Sequence, residues 1–380
     1  MPKENAKEAG YIRGVKVYAA ASLREVTEHL SGLVPLEPVP PSEFSARNNA
    51  AEKECDLSFV KGQPVAKRAL EVAVAGGHNI LFVGPPGSGK TMLARAIPSI
   101  LPDMTFEEAL EITKIHSVAG ILGGEGIVMK RPFRTPHHTA SAVSLCGGGT
   151  RTAHPGEISL AHGGVLFLDE LPEYHRDVLE VMRQPLEDGV VTVSRAAGTA
   201  VYPSRFMLVC AMNPCKCGYF GHPTKACTCT PQSRRNYISM LSGPILDRID
   251  IQIEVNALEF SELDTTVAAE PSAKIRERVC KAREFAMSRF DGELLPNGQA
   301  LTCNARMLPK HIRKYCVFDD GGREILQSAY EKLGLSARGY DRILKVARTI
   351  ADFDESELIR KQHIALAVQL RSLDRKHFNS

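Results

Sequence analysis

The chain has 380 residues, of which 43% are hydrophobic, and a formal net charge of only +3. This length and apolar content predict a soluble globular protein with two or three domains. The nearly balanced charge excludes a strongly basic chain, so any nucleic-acid surface has to come from local clustering. The sequence has no run of about 18 apolar residues to span a membrane. The first thirty residues have no signal-peptide core, so we expect a cytoplasmic protein.

The first fifty residues predict a small piece of structure followed by a linker. Residues 14–19 are typical of a strand, and Ser22 and Glu25 form a capping box that opens a helix. One strand and one helix cannot bury a core alone. The proline-rich stretch 35–42 predicts a linker. We therefore expect residues 1–40 either to be the end of a domain whose earlier part is missing here, or to pack on the domain that comes next in the chain.

A glycine-rich loop then indicates a nucleotide site. It follows the apolar strand 79–83 and precedes a helical stretch. The glycines allow a tight turn that points backbone N–H groups inward, where they form a cradle for phosphate with the start of the helix. Lys90 can reach the β- and γ-phosphates, and the Thr91 hydroxyl can bind Mg²⁺. The loop residues predicted to bind ATP are Gly84, Pro85, Pro86, Gly87, Ser88, Gly89, Lys90 and Thr91.

Strand and helix patterns alternate from Phe59 to about Val255, as a βαβ sheet requires. The apolar run 165–168 predicts a central parallel strand, and it ends in two acids. Asp169 is expected to hold Mg²⁺ through its water shell, and Glu170 to polarise the attacking water. The next buried strand ends at Asn213, whose amide we expect to orient that water against the γ-phosphate.

Further features surround these strands. Residues 190–202 predict a β-hairpin, and the stretch 120–164, rich in Gly, Thr, His and Pro, predicts loops and short hairpins. Arg248 lies just before the strand 251–255. In a ring of such ATPases, a guanidinium at this place can reach a neighbour's γ-phosphate. The alternative for Arg248 is a surface ion pair.

After Ala257 the apolar residues recur at three- and four-residue spacing, which predicts a helical lid. The expected helices are 274–290, 323–333, 338–353 and 360–373. Arg338 and Arg342 open the third helix and share one face of it. We expect Arg338 to sense the γ-phosphate and couple hydrolysis to lid movement. At least one of the two arginines is expected to serve packing or ion pairing instead.

Four of the ten cysteines form a CxC…CxC pattern across a short loop. They are Cys215, Cys217, Cys227 and Cys229. Four thiolates so close together suit a tetrahedral Zn²⁺, and a metal could supply the folding energy that such a short loop lacks. Free thiols and an iron–sulfur cluster are the alternatives. Without an export signal, a disulfide framework is not expected.

The order of these motifs resembles that of AAA+ ATPases, and residues 56–373 resemble the Mg-chelatase-like branch of the ComM/YifB type. The stretches that carry the resemblance are 60–71, 75–79, 131–138, 155–162, 211–215 and 241–248. It implies an α/β fold with a P-loop parallel sheet core, a helical lid domain and β-hairpin inserts. The implied divisions are a remnant of a Lon-like domain with a linker at 1–40, the ATPase core at 41–260 and the lid at 261–380.

The resemblance also implies ATP and Mg²⁺ as cofactors, a homo-hexameric ring and DNA as a partner, with no membrane. For the ComM type it implies a helicase that promotes branch migration during natural transformation. Hairpin inserts at 137–149 and 190–202 would point into the central channel, so Arg151 and Arg195 are candidates for contacting the DNA backbone. Two other interpretations stay open: a metal-chelatase motor that remodels a partner enzyme, and an unfoldase or regulatory ATPase that works with a Lon-like partner.

Overall fold

The computed structural model describes residues 1–45, 56–122, 126–149, 152–196, 198–241, 243–258 and 269–371. They divide into two compact units. The first unit joins the N-terminal residues up to 45 with the described residues between 103 and 131. The second unit contains the remaining described residues, from 56 onward.

The helices and strands are named in chain order. The helices are α1 (Ala6–Ala9), α2 (Leu23–Leu30), α3 (Pro64–Gly76), α4 (Lys90–Ile100), α5 (Phe106–Val118), α6 (Ala142–Cys146), α7 (Glu157–Leu160), α8 (Arg176–Val181), α9 (Arg183–Asp188), α10 (Pro231–Ser239), α11 (Gly243–Leu246), α12 (Ser272–Arg289), α13 (Pro309–Tyr315), α14 (Asp320–Leu333), α15 (Ala337–Phe353) and α16 (Lys361–Gln369). The strands are β1 (Ile80–Val83), β2 (Phe133–Arg134), β3 (Gly147–Gly148), β4 (His154–Pro155), β5 (Val165–Leu168), β6 (Val190–Arg195), β7 (Gly198–Pro203), β8 (Met207–Met212) and β9 (Ile251–Glu254).

The first unit contains α1, α2 and α5. Ser22 accepts a hydrogen bond from the backbone N–H of Glu25 at the start of α2, and Thr105 and Glu108 close a capping box at the start of α5. The Ser22 half of the capping box predicted for α2 is therefore confirmed, whereas the Glu25 side chain accepts from the N–H of Ala21 rather than from that of Ser22. A small apolar core holds this unit together, formed by Met104, Ala109, Ile112 and Ile127.

The strand predicted at residues 14–19 is wrong. Gly14 has a positive φ of 82°, so the chain turns where an extended strand would begin. Tyr18 makes a single antiparallel bridge with Pro38. An isolated bridge leaves this segment without the neighbouring strand that a ladder requires.

A five-stranded parallel sheet forms the centre of the second unit, in the order β2-β5-β8-β1-β9. All residues of β1, β5 and β8 are buried. Because both faces of these strands are covered, their sequences are continuously apolar rather than alternating. The carboxyl ends of parallel strands meet at one edge, which brings the residues after β1, β5 and β8 together. The predicted parallel α/β core is confirmed.

Two inserts interrupt the sheet connections. The strands β6 and β7 form the predicted antiparallel hairpin, and β3 pairs with β4 over two residues. The helix predicted from Arg176 to Glu187 is instead two helices, α8 and α9. Pro185 has no N–H to donate to the carbonyl of Val181 four residues earlier, so α8 ends at that residue.

The helical C-terminal region contains α12 to α16. The four predicted helices are confirmed, although most of their ends shift, by up to four residues. The short helix α13 was not predicted, because seven residues carry too little periodic pattern. Asp319 caps α14 by accepting from the N–H of Gly322, so the helix starts earlier than its apolar pattern indicates. Among the described helices, none has the length and apolar character needed to cross a membrane.

Candidate nucleotide site

The backbone of the glycine-rich loop follows a path that residues with a Cβ atom could adopt only with strain. A Cβ on Gly84 would lie 2.1 Å from the carbonyl oxygen of Val255, at the end of β9. Gly87 and Gly89 have φ values of 77° and 92°, which glycine adopts at little cost. The loop therefore turns directly from the buried strand β1 into the first turn of α4. Its backbone approaches the end of the sheet closely.

Lys90 is the first residue of α4, and its side chain lies inside the loop. Its ammonium Nζ donates to the carbonyl oxygens of Gly84 and Pro85, at 2.7 and 2.8 Å, and to Oδ1 of Asn213 at 3.3 Å. Burial lowers the pKa of Lys90 to about 8, although Asp169 and Glu170 act in the opposite direction. The charge of Lys90 is therefore held at the place where phosphate oxygens would lie.

The two predicted Mg²⁺ ligands contact each other. The hydroxyl of Thr91 donates to Oδ2 of Asp169 at 2.9 Å. Nearby, the Ser88 hydroxyl is buried and has no hydrogen-bond partner among the described residues. A buried hydroxyl, an ammonium, helix N–H groups and a carboxylate are the groups that hold a magnesium nucleotide. The residues present therefore fit ATP and Mg²⁺.

Glu170 has an unusual backbone conformation for its residue type. Its φ is 52° and its ψ is 46°, in the left-handed region, and its N–H donates to Oδ1 of Asp169 at 2.9 Å. This turn directs successive carboxylates to different places, so the two acids can serve different roles. The side chain of Glu170 is 55% exposed, which leaves it accessible to water.

His138 is a contact of Glu170 that the sequence did not reveal. Its Nδ1 lies 3.3 Å from Oε2 of Glu170. The loop that carries His138 is held by the Tyr174 hydroxyl, which donates to the carbonyl of Pro136 at 2.5 Å. The stretch 131–138 was recognised only as a family signature. Its position after β2, which pairs with β5, is the signal that could have placed His138 beside the acids.

The predicted sensor Asn213 follows β8, which lies between β5 and β1. Its Oδ1 contacts Lys90, so its amide faces the phosphate loop. The structure therefore brings together the loop residues, Asp169, Glu170 and Asn213 at one edge of the sheet. Their catalytic roles remain predictions.

Arg248 lies at the other end of β1. The side chain of Asn79, just before β1, donates to the carbonyl of Arg248 at 2.9 Å, whereas the phosphate loop begins after the last residue of that strand. Four strand residues span about 13 Å. The Arg248 side chain is 10% exposed and pairs with Glu187. Arg248 therefore lies at the opposite end of β1 from the phosphate loop.

Two arginines of α15 lie near the same end of the sheet as Arg248. Arg342 pairs with Asp250, while Arg338 is exposed. Burial lowers the pKa of Arg248, and the charges of Arg338, Arg183 and Arg342 lower it further, which indicates a cluster of guanidinium groups. The ion pair identifies Arg342 as the lid arginine with a structural partner.

The four cysteines of the loop after Asn213 form one cluster. Their sulfur atoms all lie within 4.8 Å of one another. Cys215 Sγ lies 3.3 Å from Cys217 Sγ and 3.7 Å from Cys227 Sγ. Backbone hydrogen bonding, chiefly from Tyr219, lowers the pKa of Cys217 to about 5. Close sulfurs and a stabilised thiolate are suited to a metal.

The hairpin formed by β6 and β7 carries Arg195 at its tip. Its guanidinium donates to the carbonyl oxygens of Gly149 and Ser194, at 2.8 and 2.7 Å, and no described carboxylate neutralises it. Gly149 belongs to the loop between β3 and β4, so the two inserts lie together. The other predicted DNA contact, Arg151, is outside the described residues.

Comparison with known proteins agrees with this architecture. The family "Magnesium chelatase, subunit ChlI" matches residues 56–263, and its C-terminal region matches residues 269–371. The Escherichia coli protein YifB is 42% identical over 375 residues, which cover 98% of this chain and 71% of YifB. The competence protein ComM of Haemophilus influenzae is 44% identical over 377 residues, with the same coverage of 98% and 71%.

The similarity to a magnesium chelatase subunit itself is weaker. The 67 kDa subunit of Chlorobaculum tepidum is 28% identical over 161 residues, which cover 41% of this chain and 23% of that protein. The full-length similarity to YifB and ComM, together with the two matching regions, identifies the branch. This chain therefore belongs to the Mg-chelatase-like AAA+ family that includes YifB and ComM.

Proposed function

We propose that the protein is a cytoplasmic ATP-hydrolysing AAA+ motor that assembles into a homo-hexameric ring and moves on DNA. Its role would be branch migration and recombination during natural transformation. The observation that carries the ATPase part is the convergence of Lys90, the Thr91–Asp169 pair and Glu170 at one sheet edge. Family membership supports the same activity. In this proposal, residues 41–260 form the ATPase core and residues 261–380 form the lid.

The proposed chemistry divides among these side chains. Lys90 and the loop N–H groups bind the phosphates, while Thr91 and Asp169 hold Mg²⁺. When bound, Mg²⁺ neutralises charge on the phosphate oxygens. Glu170 takes the proton of the attacking water, and Asn213 orients that water.

The position of Arg248 supports the proposal of ring assembly. Because Arg248 lies at the far end of β1 from Lys90, it suits the γ-phosphate of a neighbouring subunit better than that of its own chain. Arg338 would sense the γ-phosphate and couple hydrolysis to movement of the lid. Arg248 is paired with Glu187 in the single chain, so acting in trans requires its release from that carboxylate. A guanidinium delivered in this way stabilises charge that develops in the transition state.

The DNA part of the proposal rests on two observations. Arg195 presents a charge at a hairpin tip, and phosphate contacts need charge rather than sequence readout. The relative with 44% identity is named a competence protein. The alternative is a protein-remodelling ATPase, either of the Mg-chelatase type or linked to a Lon-like partner, and the match to subunit ChlI favours that class.

We also propose that the cysteine cluster holds a structural Zn²⁺. Zinc with four thiolates at about 2.3 Å places neighbouring sulfurs at roughly 3.8 Å in a tetrahedron. The separations among the sulfurs of Cys215, Cys217 and Cys227 are 3.3 to 3.7 Å, close to that value, and all four sulfurs lie within 4.8 Å of one another. Metal analysis of the purified protein tests this assignment. One zinc per chain is expected, and iron or no metal would contradict it.

The motor proposal is tested by ATPase rates with no DNA, single-stranded DNA and forked DNA, each at two salt concentrations. We expect stimulation that weakens as salt rises, because phosphate contacts release counterions. Glu170→Gln supplies the background rate. ATPase activity without any DNA stimulation would contradict DNA translocation and favour protein remodelling. No ATPase activity in the assembled ring would contradict the motor itself.

A further inference from the structure

The cysteine loop, residues 214–230, contacts the phosphate loop directly. Gly218 lies beside Cys217 and has a φ of 85°. A Cβ at Gly218 would lie only 2.7 Å from Cδ and 2.8 Å from Cγ of Pro86. Real Cβ atoms do not approach other atoms so closely, so the backbone of the cysteine loop packs against the Pro86 ring. Pro86 in turn belongs to the loop that binds phosphate.

The cysteine loop is also connected to Asn213 at both of its ends. The loop begins directly after Asn213, and it ends at Thr230, whose side chain caps α10. A Cβ on Gly218 would lie 4.0 Å from Cγ of Asn213, so the loop passes beside the sensor side chain. Tyr237 of α10 is buried, which raises the pKa of its hydroxyl, and the nearby backbone N–H of Asn213 acts in the opposite direction. The helix that leaves the loop therefore returns to the residue that enters it. This closes a ring of contacts around the sensor.

The four thiols connect these two contacts. Cys215 and Cys217 lie beside Asn213 and Gly218, while Cys227 and Cys229 lie just before α10. The middle of the loop is mostly exposed and has little apolar core of its own. A metal ion joined to all four sulfurs would therefore supply the fixed geometry that packing does not.

We propose that the metal bound by the four cysteines is a positioning element for the nucleotide site, through Gly218 against Pro86 and Tyr237 against Asn213. The inference rests on the proposed ATPase function and adds its dependence on metal. A metal held by these four sulfurs would act on the reaction only by keeping the phosphate loop and the sensor amide in their places. A shift of about 1 Å at either place is enough to reduce catalysis strongly.

The first experiment compares zinc-loaded protein with protein stripped by a chelator and then reloaded. Zinc content, affinity for a fluorescent ATP analogue and ATPase rate are measured on each sample. We expect stripping to weaken nucleotide binding about tenfold and to lower kcat by 10- to 100-fold, with recovery on reloading. Cys227→Ser should behave like stripped protein. Cys280→Ser, a cysteine of α12 outside the loop, is the matched control.

Two variants test the contacts while keeping all four thiols. Gly218→Ala should retain zinc but weaken nucleotide binding, because its methyl group displaces Pro86. Gly221→Ala is the control, since Gly221 has a similar φ of 78° in the same loop but a Cβ there would meet nothing within 4 Å. Tyr237→Phe should retain zinc and nucleotide affinity but lower kcat, because it removes only the hydroxyl beside the backbone N–H of Asn213.

The outcomes separate this inference from the proposed function. If zinc-loaded wild type binds and hydrolyses ATP, and if the stripped protein, Gly218→Ala and Tyr237→Phe all match it, the positioning role is overturned while the ATPase stands. If the zinc-loaded protein binds no nucleotide, the nucleotide site itself is wrong and the inference fails with it. Equal losses in Gly218→Ala and Gly221→Ala would also overturn it, because backbone strain alone would then explain the effect.

Discussion

Arg342 of α15 forms an ion pair with Asp250, a residue that lies two positions after Arg248. Asp250 also lies 3.3 Å from Nδ1 of His78, whose Nε2 is 2.8 Å from the Thr349 hydroxyl. Asp250 and His78 are buried. Burial alone would raise the pKa of Asp250, but Arg342 and His78 outweigh it and hold that pKa well below its usual range. This network joins α15 to the start of β1 and stabilises the end of the sheet where Arg248 lies.

Asp250→Asn is expected to destabilise the protein. The change leaves Arg342 without its buried counter-charge, which typically costs about 3 kcal/mol. Urea unfolding measures the loss. Glu270→Gln removes an exposed ion pair with Arg278 and should cost less than about 1 kcal/mol. If Asp250→Asn and wild type had the same free energy of unfolding, the network would contribute nothing to stability.

The same pair predicts how stability depends on pH. The pKa of Asp250 is lower in the folded protein than its ordinary value of 3.8, so its contribution is present above that value. It is lost as the pH falls further towards the lowered pKa, because the unfolded chain takes up the proton first. Unfolding measured between pH 3 and pH 7 should therefore give a smaller pH dependence in Asp250→Asn than in wild type.

Nucleotide affinity should fall at high pH. The pKa of Lys90 is lowered to about 8, and only its charged form pairs with phosphate. Between pH 7 and pH 9 the charged fraction falls about tenfold, so affinity for ATP should fall by up to roughly that factor. Calorimetry in buffers of different ionisation enthalpy should also detect proton uptake. Lys90→Ala should bind weakly at all pH values, and a slope as steep as that of wild type would exclude Lys90 as the titrating group.

Glu170→Gln should retain nucleotide binding and lose hydrolysis. The amide keeps the shape of the side chain but cannot accept the proton of the attacking water, so kcat should fall by about 100-fold or more. Glu173→Gln changes an exposed acid three residues away and serves as the control. Single-turnover hydrolysis measures the step. Undiminished hydrolysis by Glu170→Gln would remove its water-activating role.

His138→Ala should lower kcat without changing nucleotide affinity. His138 touches Glu170 but not the phosphate loop, so its loss allows the carboxylate to leave its position. A decrease of about tenfold is expected, as for other residues that orient a catalytic group. His175→Ala, an exposed histidine before α8, is the control. A change in affinity with unchanged kcat would assign His138 to binding instead.

A mixing experiment tests the trans-acting arginine. Arg248→Ala and Lys90→Ala should each be inactive as rings. A mixture should regain part of the activity, because an intact Lys90 can then face an intact Arg248 across an interface. Monomers that hydrolyse ATP as fast as rings, and are unaffected by Arg248→Ala, would contradict this arrangement.

The sequence by itself was sufficient to predict the features whose residues are close together in the chain. The phosphate loop, the acids at 169 and 170 and the hairpin could all be recognised because a strand, turn or helix start is specified by local pattern. The continuous apolar runs of β5 and β8 also predicted their burial. The boundary between α8 and α9 was missed, since the apolar pattern continues across a proline that breaks the hydrogen bonding.

Only the tertiary structure decided which distant residues meet. His138 contacts Glu170 because β2 pairs with β5, and Gly218 reaches Pro86 because β8 lies beside β1. Likewise, Arg338 and Arg342 have the same spacing pattern, and only the position of Asp250 distinguishes the exposed arginine from the paired one. Such pairs are set by strand order and packing between elements far apart in the chain, for which local sequence patterns carry no signal.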